Sequence, residues 1–387
     1  MSEAAGYADA EAALAAEIQA AYAAGEPLEI VGGGTRRALG RPVTAARSVS
    51  TAGISGISLY EPGALTLVAG AGTPLAEVEA ALAEEGQRLA FEPMDHRGLL
   101  GSAGEPTIGG VAAINNSGPR RIQAGAARDA MLGVRFIDGR GDVIRNGGRV
   151  MKNVTGYDLV KLMAGSWGVL GVLTEVALKV LPAPEREATL VLDGLSEDAA
   201  VAALGAALGS PYDVGGAAHA GGRTLIRVEG FEAQVAHRAP ALAAALKAHG
   251  AAEIIEGEES AALWRAVRDV AAFHGRPGAI WRISVKPSDG PKLAAELREK
   301  LDLDALFDWA GGLVWLLTPE IGDAGAGAIR AATKARGGHA TLVRAEAATR
   351  AAVEVFEPEA PPVAALSARV KAAFDPKAIL NPGRMRG

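Results

Sequence analysis

Three short stretches place glycines where a backbone could lie flat against a ligand: VGGGTRR at 31–37, VAGAGTPL at 68–75 and TIGGVAAINNSGP at 107–119. Glycine lets successive amides turn into one concavity, and phosphate is the usual guest of such a nest. Arg36 or Arg37 would supply the charge. Taken alone, 32–34 reads equally well as a tight turn between strand and loop. The established phosphate motifs fail. A P-loop needs Gly-Lys, which does not occur. The sixth position counted from Gly32 or Gly70 is Arg37 or Leu75, where a dinucleotide fingerprint needs glycine. A fourth stretch, GSWGVLGVLTE at 165–175, combines glycine spacing with a strand. Several backbone-lined loops in one domain point to one long, flat ligand with a diphosphate, an extended dinucleotide held by loops rather than by a single helix N-terminus.

The composition bounds what such a ligand could serve. A chain of 387 residues favours two domains. The absence of cysteine excludes disulfides, thiolate-bound zinc and iron–sulfur clusters within this chain. A net charge of −6 and few aromatic residues argue against nucleic acid. The N-terminus carries Glu3, Asp9, Glu11 and Glu17 and no basic segment, so it does not read as a secretory signal. No apolar run approaches a membrane span. The expectation is a cytoplasmic protein that meets a membrane only peripherally, through partners.

The elements that must position these loops follow from periodicity. Residues 8–24 read as a helix with Leu14, Ile18 and Tyr22 on one stripe, stopped by Gly25. Short strands are expected at 28–31 and 65–69, and a helix after Thr73-Pro74, with the threonine as N-cap. Residues 91–119 read as loop, 131–144 as a hairpin and 154–164 as a short helix, and Lys152 and Asp158, which flank the Tyr157 turn, read as structural residues tying the loop to the subdomain of the glycine loops. Residues 172–181 alternate like a half-buried strand. Beyond Pro182 and Pro184, strand–helix pairs at 189–209 and 224–250, strands at 279–285 and 313–317, and helices at 259–274 and 291–300 suggest an α+β cap.

The order of these blocks resembles the vanillyl-alcohol-oxidase, or PCMH-type, FAD-binding fold. The stretches that carry the resemblance are the glycine loop, GAGTPL, TIGG, RDAMLGVRFIDGRGDV, KNVTGYDLVKLMAGSWGVLGVLTE and DPKAILNPGR. LGRPVT, GPRR, RVMKNVTGYDL, LTEVALKVLP, WRISV, GGHAT and LNPGRM are similar to the FAD-binding E-subunit family of bacterial glycolate oxidases. The resemblance implies an α+β protein: an FAD-binding domain of two α+β subdomains over 1–185, a cap over 186–365, and a C-terminal segment, 366–387, returning to the first domain. It implies that Val31, Gly32, Gly33, Gly34, Thr35 and Arg36 hold the FAD pyrophosphate. Thr107, Gly109, Gly110, Ala113 and Gly118 would line the ribityl and isoalloxazine region, and Gly171 and Val172 the adenine side. Members with covalent flavin carry histidine just after the glycine loop. Thr35 and Arg36 stand there, so the FAD should be non-covalent. The related catalytic D-type subunits carry a Gly-Glu-His-Gly metal motif, which is absent here, and no metal site is expected.

Oxidising a 2-hydroxy acid needs a base, a cation for the carboxylate and a hydride acceptor. His339 in GGHAT is the candidate base, and Arg282 within the apolar run AIWRISV is the candidate cation. His96 could approach the flavin, whereas His219, His237, His249 and His274 read as surface or helix positions. The reading is an FAD-binding subunit of a glycolate-oxidising complex, beside a homologous flavin-containing catalytic subunit and an iron–sulfur subunit that takes the electrons. Two alternatives stand: a scaffold that keeps the fold without catalysis, and a self-sufficient FAD dehydrogenase for a hydroxy or sugar acid.

Overall fold

The computed structural model describes residues 7–148 and 156–386. Lys152 and the whole RVMKNV stretch lie outside them. The first helix, Ala8–Ala24, ends at Gly25 in the left-handed region (φ 67°) and buries Leu14, Ile18 and Ala21. The chain then enters β1 (Leu28–Val31), which pairs in parallel with β2 (Arg47–Ser50). Leu380 bridges Leu28 in parallel, so the end of the chain is stitched to its first strand.

An antiparallel five-stranded sheet follows. It comprises β3 (Ile57–Glu61), β4 (Thr66–Gly70), β6 (Met131–Ile137), β7 (Val143–Gly147) and β8 (Val172–Lys179), in the order β3-β4-β8-β6-β7. A small pair, β5 (Gln87–Arg88) with β9 (Leu181–Pro182), lies apart from it. Helices Leu75–Glu84, Ile108–Ala113 and Leu159–Met163 bury Val78, Leu82, Val111 and Met163 against Val176 and Leu178 of β8. Alternation predicts β8 half-buried, but it is covered on both faces. On the other face Val172 joins the cluster around the first helix, and Thr174 donates to the buried Glu11 carboxylate at 2.5 Å.

Two local expectations are corrected. Thr73 does not cap its helix. Its hydroxyl donates to the carbonyl of Gly70 (2.7 Å) and accepts from the amide of Gly56 (2.9 Å), tying two strand ends together. The stretch 91–119 is not all loop: Arg97–Leu100 and Ile108–Ala113 are helical, the second capped by Thr107, whose hydroxyl accepts from the Gly110 amide. Glycine and proline density concealed both helices. Asp158 is indeed structural, capping Leu159–Met163.

The second half builds one antiparallel sheet of eight strands: β10 (Arg186–Asp193), β11 (Val214–Ala220), β12 (Arg223–Gly230), β13 (Glu253–Glu256), β14 (Ala279–Ser284), β15 (Asp304–Asp308), β16 (Leu313–Thr318) and β17 (His339–Arg344). Their order is β13-β10-β12-β11-β15-β16-β14-β17. Helices Glu197–Leu208, Glu232–Ala245, Gly290–Arg298 and Ala326–Ala335 cover one face. The other face carries Ile280, Leu306, Trp315, Leu317 and Val343. It lies on Leu39, Met94, Leu99, Ile114 and Trp167 of the first half. Alternation within each strand therefore puts Arg282, Asp308 and His339 on the face that lies on the first half, while Trp281, Phe307 and Ala340 face the helices. No helix among the described residues is long and apolar enough to cross a membrane.

The C-terminal helix, Pro361–Phe374, ends at Asp375, which is buried. Its carboxylate accepts from the amides of Ile379 (3.0 Å) and Leu380 (2.8 Å) and pairs with Lys371. Asp375→Ala strands two buried amides, and is expected to cost about 2–3 kcal/mol in urea unfolding.

Candidate functional site

The glycine loops converge on one groove. Of the residues expected to hold a cofactor, Val31, Gly32, Gly33, Gly34, Thr35, Arg36, Thr107, Gly109, Gly110, Ala113 and Gly171 line it together, enclosing about 790 Å³ including the open mouth. The amides of Gly33, Gly34, Thr35 and Arg36 donate to no acceptor among the described residues. A run of undirected donors beside a cation is the donor set that a diphosphate needs. Arg36 pairs with no carboxylate among the described residues, and its Nε lies 3.4 Å from Nδ1 of His96. Burial lowers Arg36 to about 10, with Arg97 adding to the effect and Asp95 opposing it. Burial, then Arg36, push His96 down to about 3, so its ring is neutral.

The glycines serve two ends. A Cβ on Gly33 would come within 1.7 Å of the Glu105 carbonyl, and one on Gly109 within 2.6 Å of Ala71. These two glycines let the loops pack on each other. Gly110 differs, because its Cβ would enter the groove 3.1 Å from a guanidinium nitrogen of Arg36. Gly34 has φ +78° with open space beside it.

Two expected residues lie off the groove. Val172 is fully buried under the first helix, paired with Ile137. Gly118 packs on Glu92, and its carbonyl accepts from the Trp309 indole at 3.2 Å, so it joins the cap to the first domain. Asn381 and Arg384, which close the groove, were not anticipated. Asn381 accepts from the Ile30 amide (2.8 Å) and donates to the Trp167 carbonyl (2.9 Å). Arg384 donates to the carbonyls of Arg37 (2.8 Å) and Leu39 (2.9 Å). Both belong to LNPGRM, whose presence was the only signal.

A second cluster gathers around Trp309 at the junction of cap and first half. The guanidinium carbons of Arg282 and Arg121 lie 5.2 Å and 4.8 Å from the centre of the Trp309 ring. Neither arginine has a hydrogen-bond or ion-pair partner among the described residues, and neither is sealed from solvent. Burial, then Arg121, lower Arg282 to about 10. His339 opens β17 opposite Ser284, on the same face as Arg282, with part of its ring exposed. Burial, then Arg282, hold it below the usual histidine range. His96 is within electrostatic reach of both Arg36 and Arg282 and so links groove to cleft. Of the other histidines, His219 is not on the surface: it is buried in β11, with Nδ1 2.9 Å from the Thr224 hydroxyl.

A five-stranded antiparallel sheet with glycine loops, under an antiparallel cap, is the PCMH-type FAD-binding architecture. The family described as FAD binding domain matches residues 3–147, and that described as FAD linked oxidases, C-terminal domain, matches residues 350–385. The solved 4-ethylphenol oxidase from Gulosibacter chungangensis superposes with a TM-score of 0.70 at 14% identity, over 97% of this chain and 87% of that one, a likeness of fold alone. The glycolate oxidase subunit GlcE of Escherichia coli strain K12 is 36% identical over 97% of both chains. The chain belongs to this GlcE family, and it is an FAD-dependent oxidoreductase subunit. The glycolate oxidase subunit GlcD of Bacillus subtilis strain 168 is 44% identical over 22% of this chain and 18% of its own.

Proposed function

We propose that the chain is the FAD-binding subunit of a complex that oxidises glycolate, and similar short 2-hydroxy acids, to 2-oxo acids. The observation that carries this reading is the row of undirected amides at 33–36 beside Arg36 in the groove, with Arg282 of the cap, which has no carboxylate partner among the described residues, within electrostatic reach of His96 next to Arg36. The 31–36 loop would hold the pyrophosphate. Thr107, Gly109, Gly110 and Ala113 would flank the ribityl and ring portions, and Gly171 the adenine side. Gly118 and Val172 are given no part. When bound, FAD supplies the hydride acceptor. Arg282 would hold the substrate carboxylate, and His339 would stand at the rim of the cleft.

A homologous flavin-containing subunit and an iron–sulfur subunit would be the partners, the latter because this chain has no cysteine to hold a cluster. The membrane would be met only through them, from the cytoplasmic side. The test is to purify the chain alone, record its visible spectrum and acid-precipitate it. A yellow protein that releases FAD into the supernatant, and whose flavin is bleached by glycolate within the assembled complex, is expected. A colourless protein that cannot be loaded with FAD would overturn the reading in favour of a scaffold.

A further inference from the structure

The cleft beside Arg282 holds an acid to which the foregoing reading gives no task. Asp308 ends β15 and is 4% exposed. Its Oδ1 accepts from the Trp309 amide at 2.7 Å. Its Oδ2 has no partner among the described residues and is not sealed from solvent. Sheet register puts it near Arg282: Arg282 lies opposite Trp315, Trp315 opposite Leu306, and Asp308 is two residues further along the same face. The two side chains feel each other's charge but make no direct ion pair. A carboxylate and a guanidinium enclosed together ordinarily close on one another. Here they do not, and Trp309, the residue after Asp308, carries the guanidinium groups of both Arg282 and Arg121 over its ring.

We propose that Asp308 is the base of this site, taking the hydroxyl proton of a 2-hydroxy acid whose carboxylate is held by Arg282 and Arg121. The inference rests on the function proposed above. In the step, the substrate O–H bond breaks and its proton passes to Oδ2. The electron pair of the neighbouring C–H bond leaves as hydride to the oxidised flavin, and the C–O bond becomes C=O. One 2-oxo acid forms, and the two electrons end on the flavin. Burial, then Glu92, raise Asp308 to about 7, against the Trp309 amide that bonds its carboxylate and the pull of Arg227 and Arg282. A base poised near the working pH is the efficient choice. His339 is held below the usual histidine range by burial, then by Arg282. Glu92 is held ionised and Arg227 protonated.

The test uses the FAD-loaded complex with Asp308→Asn, Arg282→Met and His339→Asn, reading flavin reduction by glycolate against pH, and calorimetric binding of oxalate, an inert anion of similar size. Wild-type kcat/KM should rise with pH to a plateau above about 7. Asp308→Asn should slow reduction by about 10²–10⁴-fold and remove that limb, yet bind oxalate as tightly as wild type or more tightly. Arg282→Met should weaken oxalate by about tenfold or more. Asp308→Asn with unchanged rate and limb would overturn the proposal, as would a limb abolished by His339→Asn and kept by Asp308→Asn. If Asp308→Asn does not fold, Asp308→Ser must show the same split between rate and oxalate affinity. A wild-type flavin that no short 2-hydroxy acid reduces would remove the function and this base together, whereas reduction that persists in both Asp308 variants removes the base alone.

Discussion

Gly110→Val is expected to strip FAD from a protein that remains folded. The Cβ at this position enters the groove 3.1 Å from Arg36 and 3.3 Å from the Thr107 hydroxyl. Two further methyl carbons would fill the space between Arg36 and the helix Ile108–Ala113. The backbone there is helical, and valine tolerates a helix at least as well as glycine does, so the fold should bear the change. The loss should be about a hundredfold or more in FAD affinity, or about 2.7 kcal/mol. It is read as the flavin-to-protein absorbance ratio after gel filtration. Flavin-free wild type and variant should melt within about 3 °C of each other, whereas flavin-loaded wild type should melt higher by linkage. Gly33→Val is the informative contrast. Its Cβ would strike the Glu105 carbonyl, so it should damage the loop itself and lower the melting temperature with or without flavin. Full FAD occupancy in Gly110→Val would remove the helix 108–113 from the cofactor site.

The contrast between Gly33 and Gly110 also measures what the sequence could reveal. Both lie in glycine-rich stretches, and both were read as room for a ligand. Only the folded chain separates a glycine that lets two loops touch from one that leaves a groove open. Gly118 lies off the groove for the same reason, since its close neighbours are Glu92 and Arg268 of the protein itself. Elements with a strong local period were legible: Ala8–Ala24, β1 and the hairpin β6–β7 lie where the pattern placed them. β11 was hidden because VGGAAHA has weak strand propensity. Its glycines let Trp264 pack on the strand, a Cβ at Gly216 meeting that ring at 2.8 Å. Arg282 was visible as a charge inside an apolar run. Asp308 and Arg121 carry no such mark, because only strand register puts Asp308 on the face of Arg282, and only the folding of the 91–121 segment brings Arg121 to Trp309.

The cleft depends on how firmly the cap is held, and a buried ionic network holds it. Arg227 of β12 is fully buried and donates to both oxygens of Glu92 at 2.9 Å, across the junction between the two halves. Arg120 pairs with Glu92 (2.6 Å) and Glu229 (2.7 Å), and Arg88 with Glu229 (2.7 Å). With Glu187 included, three arginines face three glutamates. Removing one charge leaves its buried partner with too little counter-charge, as Arg120 alone would face Glu92. Arg227→Met is therefore expected to cost about 3–5 kcal/mol. The loss can be followed in denaturant by the fluorescence of Trp264, over whose ring the Arg227 guanidinium lies at 4.5 Å. Glu92→Leu added to Arg227→Met should recover part of that loss, since the stranded carboxylate is then gone.

Acid gives an independent reading of the same network. Burial alone would raise Glu92 and Glu229, but the guanidinium groups around them, Arg227 and Arg120 for Glu92 and Arg120 and Arg88 for Glu229, hold both below the ordinary carboxylate range. A depressed folded-state value means stability present in full above the unfolded value of about 4.3, and lost as pH falls through the folded one. Wild type should therefore be flat above about pH 5 and weaken steeply below about pH 4. Arg227→Met should start lower and fall less steeply, because Glu92 has lost the larger of the two charges that depress it. An Arg227→Met protein within about 1 kcal/mol of wild type, with an unchanged acid limb, would mean that the apolar face formed by Leu306, Trp315 and Val343 holds the cap unaided and that the ion network is incidental to the cleft it borders.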